Sequence, residues 1–265
     1  VLTCYDAATA GLMEAARVDV LLVGDTAGEV VLGLPSTRHV PVDFLIALTA
    51  AVRRGAPSRF VMGDLPYLCR AGSPQETVDC CRRFHDQTGC DALQIEVTGA
   101  DAPLVAAVRD AGVPVVAHLG LLPQSIESHA GYRAQARDAD AALGLIDDAR
   151  RLEEAGADML LLEAVASEVA REVAAGTALP VIGCVAGPHC DGTVVVLHDL
   201  VGWGGGHPPR AVPRYADLSG ILVEAFTRYV ADILAGRFPT DRDAIHMKPG
   251  EYEKLAAARR ETSRR

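Results

Sequence analysis

The chain is nearly without lysine: among its 25 lysine and arginine residues only Lys248 and Lys254 are lysines, both close to the C-terminal end. Chemistry that needs an amine on a strand is excluded, which removes a Schiff-base aldolase mechanism and pyridoxal phosphate attachment. Positive charge is scarce overall. A net charge of −10 and a pI near 5.2 argue against a nucleic-acid or polyanion surface, because phosphate binding needs a basic face. No apolar run approaches the length of a membrane-spanning helix, and no signal-peptide pattern opens the sequence. The seven cysteines are odd in number and lack CxxC spacing, so Cys4, Cys69, Cys80, Cys81 and Cys90 read as small core or surface residues in a reducing cytoplasm. The Gly24-Asp25-Thr26-Ala27-Gly28 turn lacks the G-x-G-x-x-G spacing of a dinucleotide site. No Pro/Gly/Ser linker divides the chain, which suits one domain over residues 1–265 with a C-terminal helix and tail from about residue 217.

What is present is a rhythm. Eight short apolar runs recur (VLTCYD, DVLLVGD, RFVMGD, ALQIE, VPVVAHLG, DMLLLEA, LPVIGCVAG and VVVLHD), and most stop at a carboxylate or histidine. Segments of helical periodicity lie between them at 7–17, 42–54, 74–88, 101–111, 140–155 and 165–175, with Ser73-Pro74 and Glu76 as a start signal and Gly55, Gly89, Gly112 and Gly156 as stops. The alternation predicts an α/β fold, a (β/α)8 TIM barrel, with reactive groups at the C-terminal strand ends. Those ends carry Asp6, Asp25, Asp64, Glu96, His118, Glu163 and the His198–Asp199 pair. Asp19, Asp91 and Asp158 recur where a helix turns into a strand and read as corner residues.

Without a strand lysine, carbon–carbon chemistry on a carbonyl compound needs metal polarisation with carboxylate acid–base groups. Asp25 and Asp64 end neighbouring strands, and two hard carboxylates with room for water suit Mg²⁺ better than zinc. Cys184 faces the same end of the barrel, but a nucleophilic role would need a nearby base. The GWGGGHPPR segment reads equally as a lid or a connector, and DLSGILVEAFTRYVADILAG reads as an amphipathic helix.

The blocks LTCYD, VLLVGDTAGEVVLGLPST, VMGDLPY, VVAHLGLLPQS, AGYRAQAR, LLEAV, VIGCVAGPHCDGTVVVLHD and RYADL resemble the ketopantoate hydroxymethyltransferase (3-methyl-2-oxobutanoate hydroxymethyltransferase) family, from Val1 to about Pro239. The resemblance implies a TIM barrel of the phosphoenolpyruvate mutase/isocitrate lyase type, a place in pantothenate biosynthesis, and a ring-like homo-oligomer, a decamer. It implies that Mg²⁺ is held by Asp25 and Asp64, with Glu96 beside them. Thr26 stands where the family has a serine that binds the substrate carboxylate, Glu96 and His118 stand near metal and substrate, and Glu163 matches the proposed general base. The family adds a one-carbon unit from 5,10-methylenetetrahydrofolate to the β-carbon of an α-keto acid through an enolate, so the expected partners are a keto acid and a folate, with no nucleic acid and no membrane.

Departures accompany the matches. Gln94 stands at the substrate-binding position where the family has lysine, which removes a cation and predicts a raised pKa for Glu96. Cys184 and Val185 replace the isoleucine and glycine of the family's GIGAG phrase, and a side chain at Val185 narrows any pocket that backbone lines. Three readings stay open on these residues: a hydroxymethyltransferase acting on the usual or a related keto acid, a C–C lyase or hydrolase using the same Mg²⁺ site without folate, and a non-catalytic relative. No KKCG-like loop supports the second.

Overall fold

A computed structural model describes residues 1–126, 132–204 and 212–262. The chain forms two compact units, Val1–Ala216 and Asp217–Arg265. In the first, eight strands run parallel in chain order: β1 Leu2–Thr3, β2 Val20–Val23, β3 Phe60–Asp64, β4 Ala92–Glu96, β5 Val115–Gly120, β6 Met159–Glu163, β7 Val181–Cys184 and β8 Gly192–Thr193. A parallel bridge from Leu2 to Val195 joins the two ends of the order, closing the sheet on itself. The main crossover helices are α1 Ala7–Ala15, α2 Val42–Gly55, α3 Pro74–Thr88, α4 Ala102–Asp110, α5 Ala139–Glu154 and α6 Ser167–Gly176, all near the spans that periodicity predicts. A further helix, α7 Leu197–Val201, follows β8.

Strand side chains alternate between two faces, and the core divides accordingly. Leu22, Met62, Ala92, Val116, Leu161, Ile182 and Val194 fill the barrel, whereas Leu21, Val23, Val61, Leu93, Ile95, Val115, Leu160 and Leu162 pack outward into the larger core. Local signals fix the helices. Ser73 and Glu76 form a capping box on α3, and Gly89 ends it at φ 63. Gly55 serves packing instead: a Cβ there would sit 2.3 Å from the Ala7 carbonyl oxygen of α1.

Three expectations change. Strand β1 stops at Thr3, and Asp6 is an exposed N-cap of α1, taking the Thr9 N–H at 2.8 Å and the Thr9 hydroxyl at 2.6 Å, so both its oxygens serve the helix start. The run VVVLHD is not a strand: β8 ends at Thr193, and His198 and Asp199 lie in α7. Cys69 and Cys80 are joined by a disulfide because the short helical turn Tyr67–Arg70 folds back on α3, bringing their Cα atoms within 5.9 Å, a reversal that sequence spacing does not reveal. Cys4, Cys81, Cys90, Cys184 and Cys190 are free. Most of the GWGGGHPPR segment lies outside the described residues.

The second unit contains α8 Leu218–Leu234 and α9 Glu251–Thr262, neither of which buries a side chain within it.

Candidate active site

Alternation along the strands, carried past the inner apolar layer by one step for Asp64, Gln94, His118, Glu163 and Cys184 and by two for Glu96, places these residues on the inner face at the C-terminal end. Strand pairing sets them side by side: Asp64 beside Gln94, Glu96 beside His118, and Glu163 beside Cys184. Asp25 follows β2 and turns back toward them, its N–H donating to Asp64 Oδ2 at 2.9 Å. The sequence-predicted residues Asp25, Asp64, Gln94, Glu96, His118 and Glu163 therefore meet in one place.

A hydrogen-bonded line crosses this site. Gln94 Nε2 donates to Asp64 Oδ1 at 3.2 Å and lies 3.4 Å from His118 Nδ1, and His118 Nε2 is 3.3 Å from Glu163 Oε2. The last pair is within range for charge attraction, but Nε2 lacks a well-aligned hydrogen bond. Asp25, Asp64, Glu96 and His118 are buried, while the Glu163 side chain is 21% exposed. Glu163 is thus the carboxylate in the group best able to meet an entering molecule.

Burial dominates the electrostatics. It raises the carboxyls of Asp25 and Asp64 above their usual range, with the Asp25 charge adding to the effect on Asp64, and it pushes Glu96 up to about 7. Burial alone would depress the His118 imidazole, but the close approach of the Glu163 carboxylate and the charges of Glu163, Glu96 and Asp25 outweigh it, so the pKa is raised. Burial, then Glu163 and Asp199, pushes the Cys184 thiol up, keeping it neutral and removing the case for a nucleophile.

Other residues complete the wall. Gln124, in a helical turn at Pro123–Ser125, donates its backbone N–H to both Glu96 oxygens at 3.1 Å and its side-chain amide to Asp25 Oδ2 at 2.9 Å and the Leu65 carbonyl at 3.0 Å. The Tyr5 and Thr26 hydroxyls share a hydrogen bond of 2.6 Å. Tyr132 lies near enough to Glu29, Glu163, Asp25 and Glu96 for their charges to add to burial in raising its phenol. Sequence reading missed Gln124, Tyr5 and Tyr132, although each stands in a block that carried the resemblance: VVAHLGLLPQS, LTCYD and AGYRAQAR. His198 stacks on Trp203 at 4.8 Å and lies 5.7 Å from the Tyr5 ring.

The donor set fits a hard divalent cation. Asp25, Asp64 and Glu96 are buried acids that form no ion pair with lysine or arginine among the described residues, and the Gln94 and Gln124 side-chain oxygens are buried without a hydrogen-bond partner. No group of three Asp, Glu, His or Cys side chains converges at ligand spacing among the described residues. Two carboxylates with water are the arrangement that Mg²⁺ favours.

Comparisons with known proteins agree with this architecture. A family model described as ketopantoate hydroxymethyltransferase matches residues 1–241. Proteins named 3-methyl-2-oxobutanoate hydroxymethyltransferase are similar along almost the whole chain: that of Halalkalibacterium halodurans is 43% identical over 254 residues, 96% of this chain and 91% of that protein, and that of Geobacillus kaustophilus is 43% identical over 253 residues, with the same coverage. Among solved structures, phosphoenolpyruvate phosphomutase from Streptomyces platensis aligns with a TM-score of 0.60 at 15% identity, covering 99% of this chain and 92% of that one. 2,3-Dimethylmalate lyase, of the PEP mutase/isocitrate lyase superfamily, aligns with a TM-score of 0.58 at 17% identity, covering 99% and 90%. These structural likenesses establish the TIM-barrel fold.

Proposed function

The chain belongs to the ketopantoate hydroxymethyltransferase family, and from this premise we propose that it transfers a one-carbon unit from 5,10-methylenetetrahydrofolate to the β-carbon of an α-keto acid, 3-methyl-2-oxobutanoate or a close relative, with Mg²⁺ as the assisting cation. The observation that carries this reading is a cluster of buried acids without a lysine or arginine partner among the described residues, set beside one accessible carboxylate, Glu163. Held by Asp25 and Asp64, with Glu96 beside them, Mg²⁺ would supply Lewis acidity at the keto oxygen and acidify the β-C–H.

The protein's own groups do the rest. Glu163 removes the β-proton, and His118, held from behind by Gln94, keeps the Glu163 carboxylate oriented. The Thr26 hydroxyl, braced by Tyr5, meets the substrate carboxylate in place of a cation. The β-carbon then bonds to the methylene carbon, the carbon–nitrogen bonds to the folate break, and water supplies the hydroxyl oxygen. Gln94 binds through its neutral amide, so the substrate's charge is balanced by the cation rather than by a side chain.

The same reading takes a homo-oligomer, a decamer by family likeness, as the working form, a single barrel with a C-terminal tail as its unit, and the cytoplasm as its compartment. No helix among the described residues is long and apolar enough to cross a membrane. The test is proton NMR of a panel of α-keto acids in D₂O with Mg²⁺ or with EDTA. Cation-dependent loss of the β-proton signal supports the reading; exchange without any later dependence on methylenetetrahydrofolate turns it toward a lyase; no exchange, even with tetrahydrofolate present, removes it.

A further inference from the structure

The loop after β7 contains a residue whose conformation and exposure do not suit its side chain. Val185 has φ 53, in the left-handed region, and is 46% exposed. A β-branched residue is strained there, since its Cβ crowds the backbone, whereas glycine adopts this conformation freely. Packing does not compensate, because nearly half of the side chain is in solvent.

The loop around it is tightly specified. Cys184 packs against the inner cluster, Ala186 is buried in the outer core, and Gly187, at φ 85, presses on Ser167 so closely that a Cβ would sit 2.3 Å from the Ser167 hydroxyl oxygen. The chain passes from the inner to the outer side of the barrel wall between Cys184 and Ala186, with the exposed Val185 between them. Its neighbour Cys184 is the strand partner of Glu163, and the Ala164 N–H donates to the Cys184 carbonyl at 2.8 Å. Val185 thus follows directly on the strand partner of the accessible carboxylate, at the C-terminal end of the barrel.

Arg17 provides an internal contrast. It has φ 61 and is exposed, but it follows α1 at the opposite end of the barrel, where a left-handed residue ends a helix. There the conformation has a local structural reason and the side chain has free choice. At Val185 the turn would accept glycine, yet an isopropyl group is present.

We infer that Val185 is a specificity-determining side chain whose isopropyl group meets the alkyl substituents on the β-carbon of the keto acid and sets an upper limit on their size. This inference rests on the proposed function. Strain retained at a strand end without packing gain has its use in a ligand that the residue touches only when the site is filled. The favoured class is the α-keto acids with two small alkyl groups on the β-carbon.

The test compares the wild type with Val185→Gly and Arg17→Gly in two measurements: the thermal midpoint, and Mg²⁺-dependent β-proton exchange of 3-methyl-2-oxobutanoate against 3-methyl-2-oxopentanoate, which differ by one methylene. Both variants are expected to raise the midpoint, by roughly 2–4 °C for each relieved residue. Val185→Gly alone is expected to shift the exchange-rate ratio toward the larger acid, by about 10-fold, the discrimination that one methylene carries in a fitted pocket. An unchanged ratio overturns the inference, as does an equal change in Arg17→Gly, or a change in oligomeric mass with no change in ratio, which would assign Val185 to an interface between copies. If the wild type exchanges neither acid, with or without tetrahydrofolate, the proposed function fails and this inference fails with it; exchange by the wild type with an unmoved ratio defeats the inference alone.

Discussion

The two ends of the barrel use the same kind of side chain in opposite circumstances. At the N-terminal end Asp91, Asp158 and Asp191 precede β4, β6 and β8, and each takes the N–H of a residue near the start of the preceding strand: Val61 at 2.7 Å, Val115 at 2.8 Å and Val181 at 2.8 Å. Arg53 pairs with Asp91, and Arg109 with Asp158 at 3.2 Å. At the C-terminal end Asp25, Asp64 and Glu96 are more deeply buried and have no such cation. A compensated carboxylate stabilises the fold, while an uncompensated buried one destabilises it until something positive binds. The contrast separates the acids that build the barrel from those that work in it.

The largest expected effect comes from removing the working acid that solvent can reach. Glu163→Gln keeps the shape but loses the base, and β-proton exchange should fall by about 10³-fold, within the usual range for a general base. The thermal midpoint should change little. A variant that keeps its exchange rate would transfer the role of base to another member of the cluster.

Next is the pH dependence of the cation-free protein. Glu96 has an ordinary value of 4.5, and burial pushes it up to about 7. Between those values the folded form keeps a proton that the unfolded form has released, so stability falls as pH rises through that window and levels off above it. Glu96 contributes on the order of 3 kcal/mol to this fall, and Asp25 and Asp64 act in the same direction. Denaturant melts at pH 5 and pH 8 should show the loss, Glu96→Gln should reduce it, and saturating Mg²⁺ should restore stability at the higher pH. Stability that rises over this window would contradict the uncompensated character of that end.

The opposite end should respond in stability alone. Asp158→Ala leaves the Val115 N–H without its acceptor and frees Arg109, at a cost of about 1–2 kcal/mol. Exchange by the folded protein should stay within about twofold, since the change lies at the far end of the strands.

Much of this contrast is legible in the sequence, for a geometric reason. In β3 to β6 the run of apolar residues ends at the C-terminal edge of a strand, so counting by two from the core reaches Asp64, Glu96, His118 and Glu163 directly. The corner aspartates are legible because the helix-to-strand phrase recurs. The reading fails where regular backbone stops. Asp6 follows a two-residue strand and caps a helix; VVVLHD continues an apolar run into α7; Cys69 and Cys80 meet through a reversal between helices. Gln124 lies in an irregular turn, and its link to Glu96 is a backbone N–H, a group that every residue but proline has and that no spelling distinguishes.

The smallest expected effect comes from carrying the solution of one end to the other. Gln94→Lys places an ammonium where Nε2 now contacts Asp64 and His118. Its attraction to Asp64 and Glu96 opposes the penalty of burying the ammonium itself, so the net gain for the cation-free protein should be only about 1 kcal/mol. The pH-dependent loss should shrink with it, because Glu96 then has an ammonium beside it as well as the His118 imidazole. The same charge repels a divalent ion, and the midpoint shift produced by Mg²⁺ should become smaller than in the wild type. If the substitution instead leaves the Mg²⁺ shift intact, the cation is held farther from Gln94 than Asp64 is, and Asp25 becomes its principal ligand.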